Sequence, residues 1–277
     1  MKSKQKGLSV KRCCSELGYA RSSYYKALKS SKVKKDNHSL ILRKVYKIRN
    51  EMPKIGTRKI HYLLRKELLS NGTVSLGRDR LFDLLRQNNM LIIRKRKYAI
   101  TTDSNHPFKK YSNLIKAERI SRVNQVWVSD ITYVKLANDF CYVSLITDLY
   151  SRKIIGYHVC NTLELSGPLR ALKNALKQGS PEIHHSDRGS QYCSYRYTGL
   201  LKKHKTKISM TENGNCYENA VAERINGILK GEYNLSSKFE TIKQVRTVLK
   251  QAVLSYNNKR PHWALNFKVP SQVYKAA

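Results

Sequence analysis

The chain has 277 residues, with 54 Lys+Arg against 19 Asp+Glu and a formal charge of +35; that length buries a real core and leaves room for two or three domains. So large a basic excess points to a nucleic-acid polyanion, because lipid binding usually adds an amphipathic or lipidated anchor and none is visible. The basic start MKSKQKGLSVKRCC lacks a signal-peptide core, no apolar run is long enough to span a bilayer, and six scattered cysteines form no C-x-x-C pair; these features argue against secretion, membrane insertion, a disulfide framework and a cysteine zinc finger.

A soluble, reduced, cytoplasmic protein on the nucleoid is therefore expected. The charge is uneven along the chain: residues 1–119 carry 31 basic and 8 acidic side chains, and residues 120–277 carry 23 and 11. The steeper excess lies in the first half, as expected for a nucleic-acid-binding region attached to a less basic unit.

Residues 1–33 read as helix, turn, helix. One short helix covers 10–17, Gly18 suits a left-handed turn, and Ser22 or Ser23 is placed to cap a second helix carrying Tyr24, Tyr25 and Leu28. The polar run SSKVKKDNHS then reads as a linker. Residues 38–100 carry three helical patterns: Leu40, Ile41, Val45 and Ile48, ending before Pro53; Ile60, Leu63, Leu64 and Leu68, ending at Asn71-Gly72; and Leu81, Leu84 and Leu85. Arg78, Arg80 and Arg86 occupy the other positions of the third, and Arg94, Lys95, Arg96 and Lys97 follow as a basic run between apolar residues. Such a run can lie along phosphates while its apolar members anchor it. We read 38–100 as a helical DNA-binding domain and 101–120 as a second linker.

From residue 121 the pattern changes. VWVSDITYV, FCYVSLITDLY and KIIGYHVC are three β-rich runs with short turns between them, which makes an antiparallel meander. A helix over 163–178, a short strand before His184, a helix over 191–203, a strand over 206–210 and a long helix from about Tyr217 follow. A last helix covers 242–257. Antiparallel strands followed by strands alternating with helices give an α/β domain with a mixed sheet and helices packed on it.

Three acidic residues fit chemistry on nucleic-acid phosphates, which needs hard oxygen ligands brought together from different elements. Asp130 lies inside an apolar strand, where an ionised side chain is costly without a partner; a solvated strand face fits the Trp127/Ser129 alternation poorly. Asp187 ends a short strand in HHSDRGSQY, and Gly189 after it leaves room for a bulky substrate; a simple turn Asp remains open on these residues alone. Glu223 lies in SMTENGNCYENAVAERINGILKGEY, where Asn219, Glu223, Asn226 and Lys230 form one polar stripe at helical spacing. An ordinary amphipathic surface helix is the alternative there. His184 and His185 read as scaffold, since hard divalent cations prefer oxygen.

In these stretches the chain resembles DDE transposases and retroviral integrases, and more narrowly the second-frame product of bacterial insertion elements of the IS-three family. The tail YNNKRPHWAL followed by Pro270 matches that group too, and residues 40–98 are similar to its upstream helix-turn-helix module. The resemblance implies an RNase H-like catalytic core, a mixed five-stranded sheet with helices on both faces, over 121–277. It implies that Asp130, Asp187 and Glu223 bind two magnesium ions, with manganese as a substitute, for strand cleavage and strand transfer at element ends. Lys230, Arg188 and Asn219, with Arg78, Arg80 and the run Arg94, Lys95, Arg96, Lys97, are the expected DNA contacts. Arg260 and His262 are expected either to support the fold or to bind DNA. The implied partners are double-stranded DNA (terminal inverted repeats and target), further copies of the chain on paired ends, and an upstream-frame protein or frameshift fusion. Glu218 departs from the pattern, standing where relatives commonly carry Asp. A non-enzymatic DNA-binding regulator and an RNase-H-type nuclease are the competing functions.

Overall fold

A computed structural model describes residues 9–70, 76–93, 106–116, 118–212 and 219–276. The chain folds into two compact units, residues 1–50 with 57–91 and residues 51–56 with 92–277.

The first unit is all helix. Helix α1 (Val10–Glu16) is capped by Ser9, whose Oγ accepts from the Arg12 N–H at 3.3 Å. Gly18 turns the chain at φ +70°, the left-handed conformation glycine adopts without strain. Helix α2 (Arg21–Glu51) then runs for 31 residues. This corrects two expectations. Ser22 and Ser23 lie within its first turn and do not cap it, and the polar run 30–39 is helical, not a linker. The reason is that the segment contains neither Gly nor Pro, so its polarity marks a solvated helix and not a break. Pro53 does stop it, since the residue before proline is disfavoured in the helical region. Helices α3 (Thr57–Ser70) and α4 (Arg78–Gln87) complete the unit. The apolar positions read from periodicity supply its buried side chains, among them Ile41, Val45, Ile60, Leu64, Leu81, Leu84 and Leu85. The Nε2 of His61 meets the Leu76 carbonyl at 3.1 Å and ties α3 to the segment entering α4.

The second unit is built on strands β1 (Val126–Lys135), β2 (Phe140–Asp148) and β3 (Ile154–Cys160). Helix α5 (Ser166–Leu176), β4 (Ile183–Ser186), α6 (Ser190–Cys193), α7 (Tyr195–Lys203), β5 (Lys207–Met210), α8 (Ala220–Glu232), α9 (Ile242–Asn258) and α10 (Pro270–Lys275) follow. The sheet order is β3-β2-β1-β4-β5, with β1–β3 antiparallel and β4 and β5 parallel to β1. The expected helix over 191–203 is two helices, because Ser194 leaves the helical region at ψ 144° and caps the second.

The alternation of β1 sorts its side chains between two cores. Trp127 packs with Ile146, Leu172, Tyr197 and Leu201 on one side of the sheet, and Val126 and Val128 pack with Ile183 and Ala222 of α8 on the other. Asp130 shares the parity of Val126 and Val128, so it lies on the α8 side, opposite Trp127 and Ser129. Helix α5 approaches β3 so closely that a Cβ on Gly156 would stand 2.7 Å from the Ala175 Cβ and collide with the Ala171 carbonyl oxygen. Gly156→Val is therefore expected to destabilise the protein by about 1–3 kcal/mol, checked by denaturant midpoint.

Other parts of the chain bond to both sheet edges. Along β3, the Asn257 amide pairs with both backbone groups of Ile154, at 3.0 and 2.9 Å. The carbonyls of Ile155, Tyr157 and Val159 accept from Gln178, Asn174 and Arg246. Along β5, the Met210 N–H donates to the Ser112 carbonyl at 3.3 Å, and the Leu114 N–H donates to Ser209 Oγ at 2.9 Å. Residues 106–116, expected as part of a connector, thus lie on the sheet, with Phe108 and Tyr111 packed on its core.

The tail beginning at Arg260 is architectural. Arg260, 2% exposed, grips Glu232 at the end of α8 with Nε–Oε2 2.8 Å and Nη2–Oε1 3.0 Å. Its guanidinium lies 5.7 Å from the Tyr256 ring centre, and His262 meets the same ring edge-on. Arg260 therefore supports the fold.

Candidate active site

Three elements converge where β1 meets β4 and α8. Asp130 is on the inner strand β1, Asp187 immediately follows the adjacent strand β4, and Glu223 is in the first turn of α8. Parallel pairing of β1 with β4 brings the first two together, with Val128 opposite His185. The third is brought in by α8, whose polar stripe faces β1: the Asn219 Nδ2 donates to the Ser129 carbonyl at 3.0 Å, and the Asn226 Nδ2 donates to Asp130 Oδ2 at 2.8 Å.

Asp187 acts electrostatically on both of the others. Burial and the neighbouring Asp187 push Asp130 up to about 7, with Glu223 adding to the effect, against hydrogen bonds from Asn226 and from the Ile131 N–H. Burial, then Asp187, also raises Glu223. Asp187 Oδ1 accepts the Gly189 N–H at 3.0 Å, and a Cβ on Gly189 would come within 3.1 Å of that same oxygen. The space that glycine leaves is filled by the carboxylate of Asp187 and the amide of Gln191, not left open as expected from sequence. Gly189 has an ordinary φ of −62°, so its backbone conformation does not demand glycine.

This donor set suits a divalent cation. Its oxygens are hard, and Asp130 carries a charge disfavoured both by burial and by like neighbours, which a bound cation relieves. Among the described residues no trio of His, Cys, Asp or Glu closes to ligating distance around one point.

The other expected site residues divide. The Lys230 ammonium sits 4.2 Å from the Tyr133 ring centre; burial lowers its pKa and the nearby Asp130 opposes that shift. Arg188 is half-buried, its Nε without a hydrogen-bond partner among the described residues. Asn219 is 4% exposed, and its Nδ2 donates to the Ser129 carbonyl of β1. Arg78 and Arg80 are exposed on α4, Arg78 paired with Asp79 at 2.8 Å. Arg94, Lys95, Arg96, Lys97 and Glu218 lie outside the described residues. Asn226 was visible only as a member of the stripe; its role in holding Asp130 could have been suspected from its position one turn beyond Glu223.

Both histidines of HHSDRGSQY are buried. His184 Nε2 meets Ser129 Oγ and the Tyr197 hydroxyl, each at 3.1 Å, and His185 Nδ1 meets Ser209 Oγ at 2.8 Å. Burial, then the adjacent His185, holds His184 down at about 3, so it is neutral in the fold. Its unfolded value is near 6.5. The stability this gives is full above pH 6.5 and is lost as pH falls toward 3. Between pH 6.5 and 4.5 the loss from this group is expected to be about 2 kcal/mol, measured as the part of the denaturation slope that His184→Gln removes.

Comparison with known proteins covers the same part of the chain. Two models, both described as Integrase core domain, match residues 120–216 and 204–270. The transposase for insertion sequence element IS629 of Shigella sonnei is 30% identical over 274 residues, covering 95% of this chain and 90% of that protein. The chain belongs to the insertion-sequence transposases. A second relative, the insertion element IS600 uncharacterized 31 kDa protein of Shigella sonnei, is 36% identical over 262 residues, covering 90% of the transposase and 92% of that protein. In fold, the transposase is similar to a chain of the simian T-cell lymphotropic virus intasome solved with PP2A regulatory subunit B56 gamma. The TM-score is 0.50 at 18% identity, over 79% of this chain and 74% of that one. The RNase H-like core is thus the observed architecture. The enzyme is a DDE-type polynucleotidyl transferase acting on DNA in transposition, which sets aside the regulator reading for the whole chain. No helix among the described residues is long and apolar enough to cross a membrane.

Proposed function

We propose that Asp130, Asp187 and Glu223 are the acidic triad of this transposase and hold two divalent cations, magnesium with manganese as a substitute. The observation that supports the reading best is the convergence of carboxyls from a strand, a loop and a helix, with Asp130 and Glu223 both raised by burial and by the nearby Asp187. When bound, such ions activate the attacking oxygen and stabilise the leaving one in phosphoryl transfer. The chain's own residues do the rest. Asn226 orients Asp130, the Gly189 N–H orients Asp187, and Lys230, held over Tyr133, presents a partly desolvated charge to a DNA phosphate. Arg188, the half-buried residue after Asp187, adds a second cation for the DNA backbone.

In the same reading, residues 1–33 and 38–100 recognise the terminal inverted repeats, with Arg78, Arg80 and the run 94–97 on the DNA backbone, and residues 121–277 carry out catalysis. Two or more copies act on paired ends at the nucleoid. The test is a joining assay with the purified protein and duplexes carrying the element's own ends. Nicked and joined products are expected with Mg2+ or Mn2+ and none with excess chelator. Unchanged joining under chelation, or cleavage of RNA–DNA hybrids without joining, would overturn the reading.

A further inference from the structure

We propose that His106 is a positioning residue for Asp187, through the carbonyl of Arg188. Beyond Ser186 the chain leaves the sheet and carries Asp187 on a short loop before α6. Two hydrogen bonds are local to that loop: the Gly189 N–H to Asp187 Oδ1, and Ser186 Oγ–H to the Asp187 carbonyl at 3.0 Å. These set the carboxylate relative to its own loop and leave the loop's placement on the domain to other contacts. His106, 82 residues upstream, supplies one: its Nε2 stands 2.7 Å from the Arg188 carbonyl oxygen, so Nε2–H is the donor. Its Nδ1 is shielded from solvent and has no hydrogen-bond partner among the described residues, so Nε2 is the nitrogen that binds the ring to the protein.

The histidine is itself held. Its ring lies 5.4 Å from the Phe108 ring, which meets Tyr195 at the start of α7 edge-on. Phe108 and Tyr111 pack on the core beneath Trp127 and Tyr197. Further along the same segment, Ser112 and Leu114 bond β5, and the Asn113 N–H reaches Glu212 at 3.3 Å. Ser209, which receives Leu114, is also the partner of His185 in β4. The segment 106–116 is therefore a strap anchored on the strand pair that ends at Asp187, with His106 fixing the next peptide of the loop. A carboxylate that must meet a cation with its charge correctly aimed depends on such outer contacts.

The proposal rests on Asp187 being a metal ligand. The test uses the full chain in three forms, His106→Ala, His106→Gln and His106→Asn, with Asp187→Asn alongside. Mn2+ binding is read without DNA by the ion's own paramagnetic resonance signal, and strand joining is read separately. Gln carries an N–H as far from Cβ as the histidine Nε2, whereas Asn carries it one bond short. His106→Ala and His106→Asn are expected to weaken Mn2+ binding about 10–100-fold and to need correspondingly more metal for joining, while His106→Gln restores both. An unchanged Mn2+ midpoint in His106→Ala, with Asp187→Asn deficient, overturns the role of His106 alone. Asn rescuing as well as Gln does the same, and it decides the matter even if the alanine variant fails to fold. Asp187→Asn binding Mn2+ like the parent overturns the ligand reading and this proposal with it.

Discussion

An Asp187→Asn transposase is expected to keep its fold and its affinity for element-end DNA while losing strand cleavage and joining by about a thousandfold or more. The size follows from the chemistry: stabilising charge on a transferring phosphoryl group through bound cations supplies several kcal/mol, and each 1.36 kcal/mol is tenfold in rate. The amide keeps an oxygen for the Gly189 N–H, so the local turn survives and only the charge is lost. Glu223→Gln should match it in activity with still less effect on stability, because Glu223 sits exposed on the first turn of α8. Asp130→Asn is different in one respect. Burial and like charges already work against its ionised form, so without metal the neutral amide should raise the melting temperature while abolishing activity. Full joining activity in any of the three would remove that residue from the site, and loss of DNA binding in Asp187→Asn or Glu223→Gln would assign the residue to recognition.

The second large effect lies away from the chemistry. Arg260→Met is expected to cost about 3–5 kcal/mol, because it leaves the Glu232 carboxylate buried without its bidentate partner. Changing both residues, to Met and Leu, should recover most of that loss, since an apolar pair of similar volume needs no desolvated charge. Urea denaturation of the two singles and the double measures the coupling directly; additive losses would show that the pair does not act as a unit. The same ion pair fixes the far end of α8, so the single variants should also disturb the placement of Glu223 and Asn226 at its near end.

Much of this molecule could be read from its residues. The strands around Asp130 and Asp187 stood out because β-branched and aromatic residues cluster between turn signals, and the helix around Glu223 because its polar residues share one face. The character of that face was harder to read. The stripe of Asn219, Asn226 and Lys230 resembles a surface facing solvent, yet two of its members are buried against β1, where the Nδ2 of each donates to a specific oxygen. Burial of an acid in a strand is likewise an incomplete signal. Asp148 is also fully buried, but its oxygens accept the N–H groups of Asn124 and Ser151, so it closes a turn. Which acid is satisfied and which is poised depends on donors far away in sequence. The run 30–39 misled for a simpler reason: lysine and serine content says that a segment is wet, whereas glycine or proline would have said that it breaks. His106 gave no sign at all, since its one strong contact is to a backbone carbonyl.

The bonding of other parts of the chain to both sheet edges has a consequence for how copies of this transposase meet. An uncovered edge is a template on which a neighbour's strand can pair. Here Asn257, Gln178, Asn174 and Arg246 occupy the β3 side, and the segment bearing Ser112 and Leu114 occupies the β5 side. Neighbouring copies of the chain are thereby left little free strand edge on which to pair. Contacts between copies are then expected to run through helices and loops, and such contacts can be made and released more readily than a shared sheet.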